Sequence, residues 1–203
     1  MNHSTSSANS ETKGQMGAWA PYYDWIMKVL TLGREKALRQ MTVAAAEAKA
    51  GDNVLEVGCG TGTLSFAIQE TVGQSGKVDG IDAAPEMIER AIGKNKRAGK
   101  NVSFQVGRIE SIPYPDNAFS AAICSFMIFH MPHDARKRGL QEIFRVLKPD
   151  GRLLIVDILK QEGINELQQL MKEAGFEKIT DEKRKFSFLF SNLIFVRGIA
   201  HKI

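Results

Sequence analysis

Apolar positions along the chain follow two periodicities, which predict alternating strands and helices. Short β-branched runs such as Val54–Val57 are typical of buried parallel strands, and apolar positions three or four residues apart, as in Thr63–Val72, are typical of amphipathic helices. The pattern predicts strands at 54–57, 77–81, 102–106, 119–124 and 152–158, and helices at 36–49, 63–72, from 85, at 134–147 and at 164–174. Strands separated by amphipathic helices imply right-handed crossovers and a parallel sheet covered on both faces.

The two ends of the chain depart from this alternation. Two strand-like runs, 177–188 and 193–200, are joined by Ser191-Asn192 and predict an antiparallel hairpin. Residues 16–50 hold both tryptophans and two tyrosines, which predicts a helical cap whose apolar side covers another part of the protein. We therefore expect a disordered, Ser/Thr/Asn-rich tail over 1–15 and a single α/β domain over 16–203, consisting of this cap and a doubly wound core over 51–203.

The helix that starts at Pro85 illustrates the helical prediction. Proline is well suited to a first helical position because its φ is fixed and its missing N–H would be unpaired there. The apolar positions of this segment fall on one face, so the pattern predicts a buried stripe made of Met87, Ile88, Ala91 and Ile92.

A glycine-rich turn follows the first predicted strand. Glycines stand at alternate positions in Gly58-Cys59-Gly60-Thr61-Gly62, and a helix follows at once. Glycines allow positive φ and a close approach to a ligand, and the helix N-terminus behind them offers unpaired N–H groups. We therefore expect a nucleotide-like ligand with an acidic group. The dinucleotide pattern G-x-G-x-x-G is not met, because the third glycine stands one residue early.

A single acidic residue, Asp82, ends the second predicted strand. It lies about twenty residues beyond the glycine turn, where a carboxylate can accept hydrogen bonds from both hydroxyls of a ribose. Ligands of doubly wound sheets bind beyond the carboxyl ends of the central strands. The glycine turn and Asp82 therefore predict a nucleoside site together.

Composition narrows the functional classes only slightly. Two cysteines in 203 residues cannot form a disulfide framework or a zinc site by themselves, and no metal site is predicted. No apolar run is long enough for a transmembrane segment, and the N-terminal residues lack the apolar core of a signal peptide, so we expect a cytoplasmic protein. The net charge of +4 is spread over several segments, which favours ordinary surface charge over nucleic-acid binding.

Four stretches carry a resemblance to a known family. E-V-G-C-G-T-G, V-D-G-I-D, I-P-Y-P-D-N-A-F and L-K-P-D-G-R-L-L-I-V-D occur in the order and spacing typical of type 11 class I S-adenosylmethionine-dependent methyltransferases, over about Tyr22–Asp157. The resemblance implies a Rossmann-like seven-stranded sheet, mostly parallel with an antiparallel C-terminal hairpin, and S-adenosylmethionine as the cofactor. It also implies methyl transfer by in-line displacement from the sulfonium.

The resemblance further implies a set of cofactor-binding residues. Glu56 would face the ammonium group of the methionine through water, and Asp82 would hold the ribose. The others would lie against the methionine part, the adenine or the reactive methyl group, and they are Gly58, Cys59, Gly60, Gly62, Ala83, Met87, Arg108, Ile109, Glu110, Ser125 and Phe126. Neither Cys59 nor Cys124 has a setting expected of a nucleophile.

Two stretches bear on the acceptor. Tyr22-Tyr23-Asp24 followed by an apolar helix resembles the start of quinone-biosynthesis C-methyltransferases, and Tyr22 or Tyr23 would close over the methionine end or the substrate. The N/D-P-P-Y motif of adenine and glutamine methyltransferases is absent, and so is the R-N pair of the quinone enzymes. We therefore expect a small acceptor and favour a lipophilic one. The oligomeric state stays open.

One titratable residue is expected near the methyl group. His130 follows the fourth strand and is the candidate catalytic base, needed only if the nucleophile must lose a proton. His133, beside the expected helix cap Asp134, is interpreted as structural.

Three alternatives remain open at the level of sequence. Relatives commonly read G-D-A-E where this chain has Gly107-Arg108-Ile109-Glu110, and arginine offers no acceptor to the adenine amino group, which suits a non-catalytic binder of the same cofactor. A nicotinamide-dependent oxidoreductase is disfavoured by the position of the third glycine. A nucleic-acid enzyme is suggested only by the pI of about 9.1.

Overall fold

The fold is built on a seven-stranded sheet with strand order β3-β2-β1-β4-β5-β7-β6. The computed structural model describes residues 20–128, 131–186 and 193–202. The strands are β1 (Asn53–Val57), β2 (Lys77–Asp82), β3 (Ser103–Val106), β4 (Phe119–Ser125), β5 (Leu147–Ile158), β6 (Phe176–Arg184) and β7 (Leu193–Ala200). The first five pair in parallel, and β7 pairs antiparallel with both β5 and β6. The predicted fold class is confirmed.

Helices cover both faces of this sheet. They are α1 (Tyr23–Leu30), α2 (Glu35–Ala45), α3 (Thr63–Val72), α4 (Pro85–Ala98), α5 (His133–Val146) and α6 (Gln161–Ala174). Side chains of α5 and α6 form one apolar core with one face of the sheet, and side chains of α2 and α3 form a second core with the other face. Within the described residues, no helix is long and apolar enough to cross a membrane.

The strand order reverses at the centre of the sheet. β1 lies between β2 and β4, so the connections leaving β1 and β4 run to opposite sides. A crevice opens beyond the carboxyl ends of strands at such a switch point, and this is where doubly wound proteins bind ligands. The glycine turn after β1 therefore lies at the expected binding edge.

Several element boundaries differ from the prediction. α2 ends at Ala45 because Glu47 takes a left-handed conformation with φ 51°, so the predicted extension to residue 49 is wrong. β5 begins earlier, at Leu147. The stripe predicted on α4 is wrong at Ile92, which is 49% exposed, since α4 packs beside the edge strand β3 and nothing in the described chain covers its far side.

The start of α5 and the C-terminal hairpin also test the sequence interpretation. α5 begins at His133 with Pro132 at the N-cap, so Asp134 lies in the first turn and is not the cap. The fixed, extended backbone of the proline ends the preceding loop there. β6 and β7 are antiparallel as predicted, while Ser191-Asn192, the tail 1–15 and Trp19 lie outside the described residues.

Candidate active site

The glycine loop is tied to the end of β2 by backbone hydrogen bonds. The N–H groups of Gly58 and Cys59 donate to the Ile81 carbonyl at 2.8 and 2.9 Å. The Gly60 N–H donates to Oδ2 of Asp82 at 2.9 Å, and the Ala84 N–H donates to Oδ1 at 2.9 Å. The loop and the acidic residue, predicted separately from sequence, therefore form one rigid unit.

All three glycines of the loop have positive φ, but their surroundings differ. A Cβ at Gly58 would lie 2.8 Å from Cγ of Met127, and one at Gly60 would lie 3.5 Å from the Tyr23 ring. A Cβ at Gly62 would lie 2.6 Å from Cζ of Phe104. Gly62 is therefore needed for the packing of α3 against the sheet, whereas ligand contact by Gly58 and Gly60 stays a prediction.

Three acidic side chains give the site its electrostatic character. Glu56 is 2% exposed and accepts a hydrogen bond from the Ser65 hydroxyl, and burial raises its pKa to about 8. Burial also raises the pKa of Asp82, although the N–H groups of Ala84 and Gly60 oppose this rise. Burial, followed by the negative potential of Glu56, Asp82 and Asp24, raises the pKa of Tyr23 to about 12. A desolvated acidic cluster of this kind favours a cationic ligand.

The N-terminal helix is attached to this site through its inner face. The Thr61 hydroxyl donates to Oδ1 of Asp24 at 2.6 Å, and Lys94 of α4 forms an ion pair with Oδ2. The Tyr23 ring packs beside Ala84 and Met87. The predicted cap thus covers the glycine loop with the side that carries Tyr23 and Asp24. The prediction that its apolar side does the covering is wrong for Trp25 and Val29, which are exposed. Asp24, Thr61 and Lys94 were missed as functional candidates, although Asp24 belongs to the Tyr-Asp pair noted in the sequence.

A cavity of about 500 Å³ opens between the N-terminal helices, α3 and the ends of β1 and β4. It brings together six of the predicted site residues, which are Tyr23, Glu56, Gly58, Cys59, Ser125 and Phe126. Its apolar lining also includes residues that sequence analysis did not select, namely Trp25, Met27, Leu38, Leu64 and Phe66. They come from three helices, and only the tertiary structure places them side by side.

Phe126 has an unusual backbone conformation at the end of β4. Its φ is 55°, and its N–H donates to the Val156 carbonyl at 2.8 Å. A left-handed conformation of a bulky residue costs on the order of 1–3 kcal/mol, and such strain concentrates at functional sites. Here it accompanies a ring that lines the cavity.

The remaining predicted residues lie outside this cavity. The Ile109 side chain is buried against Gly139 of α5, and a Cβ added at Gly139 would lie 2.6 Å from Cγ1 of Ile109. The backbone of Ile109 is therefore the part left to face a ligand. Arg108 is exposed and forms an isolated bridge with Ser111, and Tyr22 points outward at 62% exposure. Ala83, Met87 and Glu110 also lie outside it, as do Gly60, Gly62 and Asp82, which were described above. Met87 is buried and packs with Ala84.

The reactive side chains predicted from the sequence have different outcomes. His130 lies outside the described residues, so its catalytic assignment stays a prediction. Both cysteines are buried, and burial raises the pKa of each thiol, which agrees with neither being a nucleophile. In the described part of the chain, no group of His, Cys, Asp and Glu side chains is arranged to hold a metal ion.

The switch-point crevice, the glycine loop fixed to Asp82 and the acidic lining together define a Rossmann-like domain that binds a nucleoside-containing, cationic cofactor. A family model for the methyltransferase domain matches residues 54–151. The ubiquinone/menaquinone biosynthesis C-methyltransferase of Citrifermentans bemidjiense is 34% identical over 157 residues, which are 76% of this chain and 66% of that protein. The demethylmenaquinone methyltransferase of Lactobacillus johnsonii is 35% identical over 140 residues, or 68% of this chain and 57% of that protein.

Solved structures show the same fold. The crystal structure of a methyltransferase from Aquifex aeolicus that depends on S-adenosylmethionine superposes with a TM-score of 0.70 at 24% identity, over 91% of this chain and 98% of that one. With these relatives and the four ordered motifs, the chain belongs to the class I S-adenosylmethionine-dependent methyltransferases. The chain spans less than two thirds of the length of the two curated relatives.

The described residues fit the cofactor of this family. S-adenosylmethionine carries a sulfonium and an ammonium group, and the acidic cluster formed by Glu56, Asp82 and Asp24 suits such charges. Each Asp82 oxygen accepts one backbone N–H and keeps a lone-pair direction for a ribose hydroxyl. The family assignment disfavours the nicotinamide alternative, whose glycine pattern is not met.

Proposed function

We propose that this protein transfers the methyl group of S-adenosylmethionine to a small lipophilic acceptor with an aromatic ring, of the quinone type named for its relatives. The observation that carries the proposal is the cavity of about 500 Å³ beside the glycine loop, whose lining combines apolar and aromatic residues with charged ones such as Arg39 and Lys94. Its aromatic lining, with Phe66 and Phe126 among others, suits a flat ring, since aromatic pairs gain stability beyond the area that they bury.

Cofactor binding is assigned to the rigid unit at the ends of β1 and β2. Asp82 would hold the ribose, and Glu56 and the Gly58 backbone would face the methionine part. When bound, the cofactor supplies an electrophilic methyl group on its sulfonium. The protein then contributes mainly by positioning the acceptor in line with that methyl group, which is a large part of the rate gain in such reactions.

The cavity lining defines what the chain itself does for the acceptor. Phe126 and Ser125 at the end of β4 and Tyr23 from α1 lie on the same cavity, so one ligand can contact all three residues. α1 limits the access of water from its side, because Asp24 holds it to the glycine loop. His130 stays the proposed base, to remove the proton that a ring carbon loses after methylation.

Cofactor binding is tested by calorimetric titration with S-adenosylmethionine and S-adenosylhomocysteine. We expect micromolar binding to the wild type and a loss of at least about tenfold in Asp82→Asn, because a charge-assisted hydrogen bond contributes about 1.5–3 kcal/mol. The matched control is Asp150→Asn, whose carboxylate is 76% exposed near the start of β5, away from the carboxyl ends of the strands where the site lies. Absence of binding to the wild type would contradict the proposal.

Turnover is tested with a chemically reduced demethylnaphthoquinol as the acceptor. We expect S-adenosylhomocysteine and a product heavier by one methylene group, measured by mass spectrometry. His130→Asn should lower kcat while leaving the cofactor Kd within about twofold. Binding of the cofactor without turnover of any quinol would exclude the acceptor class and would favour the non-catalytic alternative.

A further inference from the structure

Exposed apolar side chains are concentrated on one short segment. In the described part of the chain, eight large apolar residues are strongly exposed, and five of them lie between residues 22 and 32. These five, which we call the α1 surface, are Tyr22, Trp25, Val29, Leu30 and Leu32. Their exposed fractions reach 67% at Trp25 and Leu32. Scattered apolar residues are normal on a protein surface, but a contiguous group marks an interaction site.

The two faces of α1 have different surroundings. Tyr23 and Asp24 point inward to the glycine loop, whereas Tyr22, Trp25 and Val29 follow the i, i+3, i+7 spacing of a single outward face. No residue of this helix is fully buried. Packing against the core therefore does not account for the apolar residues of the outward face.

The turn after α1 ends the helix in a Schellman motif, in which the Gly33 N–H donates to the Lys28 carbonyl at 2.7 Å and the Leu32 N–H donates to the Val29 carbonyl at 3.0 Å. Leu32 has φ 53°, a left-handed conformation that is unfavourable for a bulky side chain, and it is exposed as well. Neither packing nor backbone preference favours leucine there. The C-cap of α1 accounts for the backbone conformation, and an external apolar partner would account for the exposed leucine side chain.

Charge distinguishes among partners. Lys28, Arg34 and Lys36 are exposed on and beside the α1 surface. Asp24, the acidic residue within α1, is engaged by Lys94 and Thr61. A second copy of the chain would bring the same basic residues face to face across a two-fold axis, which is unfavourable. A surface of anionic lipid is complementary to both the apolar and the basic residues, and Trp and Tyr side chains prefer the membrane interface.

We propose that the α1 surface docks on anionic lipid bilayers, so that a lipophilic acceptor passes from the bilayer into the cavity. Trp25 and Lys28 belong to the outward region of α1 and also line the cavity, which makes the docking face continuous with its mouth. The docking rests on the proposed function only for the identity of the acceptor. Binding to lipid itself does not depend on methyl transfer.

The experiment measures binding of the full chain to vesicles of phosphatidylcholine alone and of phosphatidylcholine with about 30% phosphatidylglycerol. Co-sedimentation gives the bound fraction. Tryptophan emission reports on positions 19 and 25, which are the chain's two tryptophans, and Trp25 is part of the α1 surface. We expect binding and a blue shift with the anionic vesicles, and weaker binding as salt rises.

The test variant is Val29→Ser/Leu32→Asn, which removes two apolar groups; asparagine tolerates the left-handed backbone at residue 32. We expect its partition onto anionic vesicles to fall by at least about tenfold. The matched control is Ile92→Ser/Ile158→Ser, which removes two exposed apolar residues elsewhere and should bind within about twofold of the wild type.

Three outcomes would overturn the docking. They are no vesicle binding by the wild type, equal losses in the test and control variants, or wild-type dimerisation in sedimentation velocity that the test variant abolishes without any lipid binding. Cofactor titration and turnover of a short-chain, water-soluble quinol are measured on the same samples. Normal turnover without vesicle binding refutes the docking alone, whereas failure of turnover with normal vesicle binding refutes the proposed function alone.

Discussion

The buried carboxyl group of Glu56 should make the stability of the cofactor-free protein depend on pH. Its pKa is raised from an ordinary value of 4.5 to about 8 by burial. Between these pH values the folded protein keeps a proton that the unfolded chain releases, so the free energy of unfolding falls as pH rises. The fall is about 1.36 kcal/mol per pH unit, or roughly 3 kcal/mol between pH 5 and pH 7.

Glu56→Gln removes this titration and keeps a carbonyl oxygen to accept the Ser65 hydroxyl. Urea unfolding followed by circular dichroism at pH 5, 6, 7 and 8 gives the free energy of unfolding of each protein. We expect the variant to become more stable relative to the wild type by about 3 kcal/mol from pH 5 to pH 7, with little further change above pH 8.

The matched control is Glu70→Gln on the same helix as Ser65. The Glu70 side chain is 67% exposed, and its hydrogen bond with Lys100 lowers its pKa. A difference between wild type and Glu70→Gln should therefore not grow over this pH range. Parallel curves for wild type and Glu56→Gln would refute the argument, because they would show that Glu56 is ionised in the folded protein well below pH 7.

Further expectations concern the cofactor, the glycine loop and the acceptor. If the cofactor's ammonium faces Glu56, binding at pH 7 should release close to one proton in the wild type and none in Glu56→Gln, as measured by calorimetry in buffers of different ionisation enthalpy. Gly62→Ala should lower the free energy of unfolding in urea by about 3 kcal/mol, because the added Cβ would overlap Phe104. The control Gly99→Ala also has a positive φ but has nothing within 4 Å of the added Cβ, so it should lower the free energy by about 1 kcal/mol. Similar losses in the two variants would contradict this argument. Phe126→Leu should raise the acceptor KM about tenfold with an unchanged cofactor Kd, and a change in the Kd alone would place the ring on the cofactor instead.

Local patterns determined how much of the fold could be predicted. α3 was predicted at its observed bounds, Thr63–Val72, and β2 was predicted one residue short, because hydrophobic periodicity and glycine punctuation act within a few residues of the chain. Ile92 was wrongly assigned to a buried stripe because its exposure depends on β3 being an edge strand, which is a property of the whole sheet. The position of Glu47 in a left-handed conformation likewise left no sequence signal.

The candidate site divides in the same way. Asp82 and the glycine loop were predictable, because a strand end and a glycine turn are each visible in the local sequence. In a doubly wound sheet the carboxyl ends of neighbouring parallel strands lie at the same edge, which brings the two together. The contact between Asp24 and Thr61 joins residues 37 positions apart, and Lys94 comes from a third element, so only the folded chain brings them together. The cavity could not be predicted either, because its lining comes from separate helices and strand ends.

The order of strands in the sheet constrains how the protein can be made. β7 follows β6 in the chain but lies between β5 and β6, so β5 has no partner on that side until residue 193 and beyond have been synthesised. On the ribosome, the edge of β5, with the buried Leu153 and Ile155, would stay open to pairing with other chains. Closure of the sheet must therefore be a late event, and premature termination before β7 should yield a species that aggregates or recruits chaperones rather than a smaller functional domain.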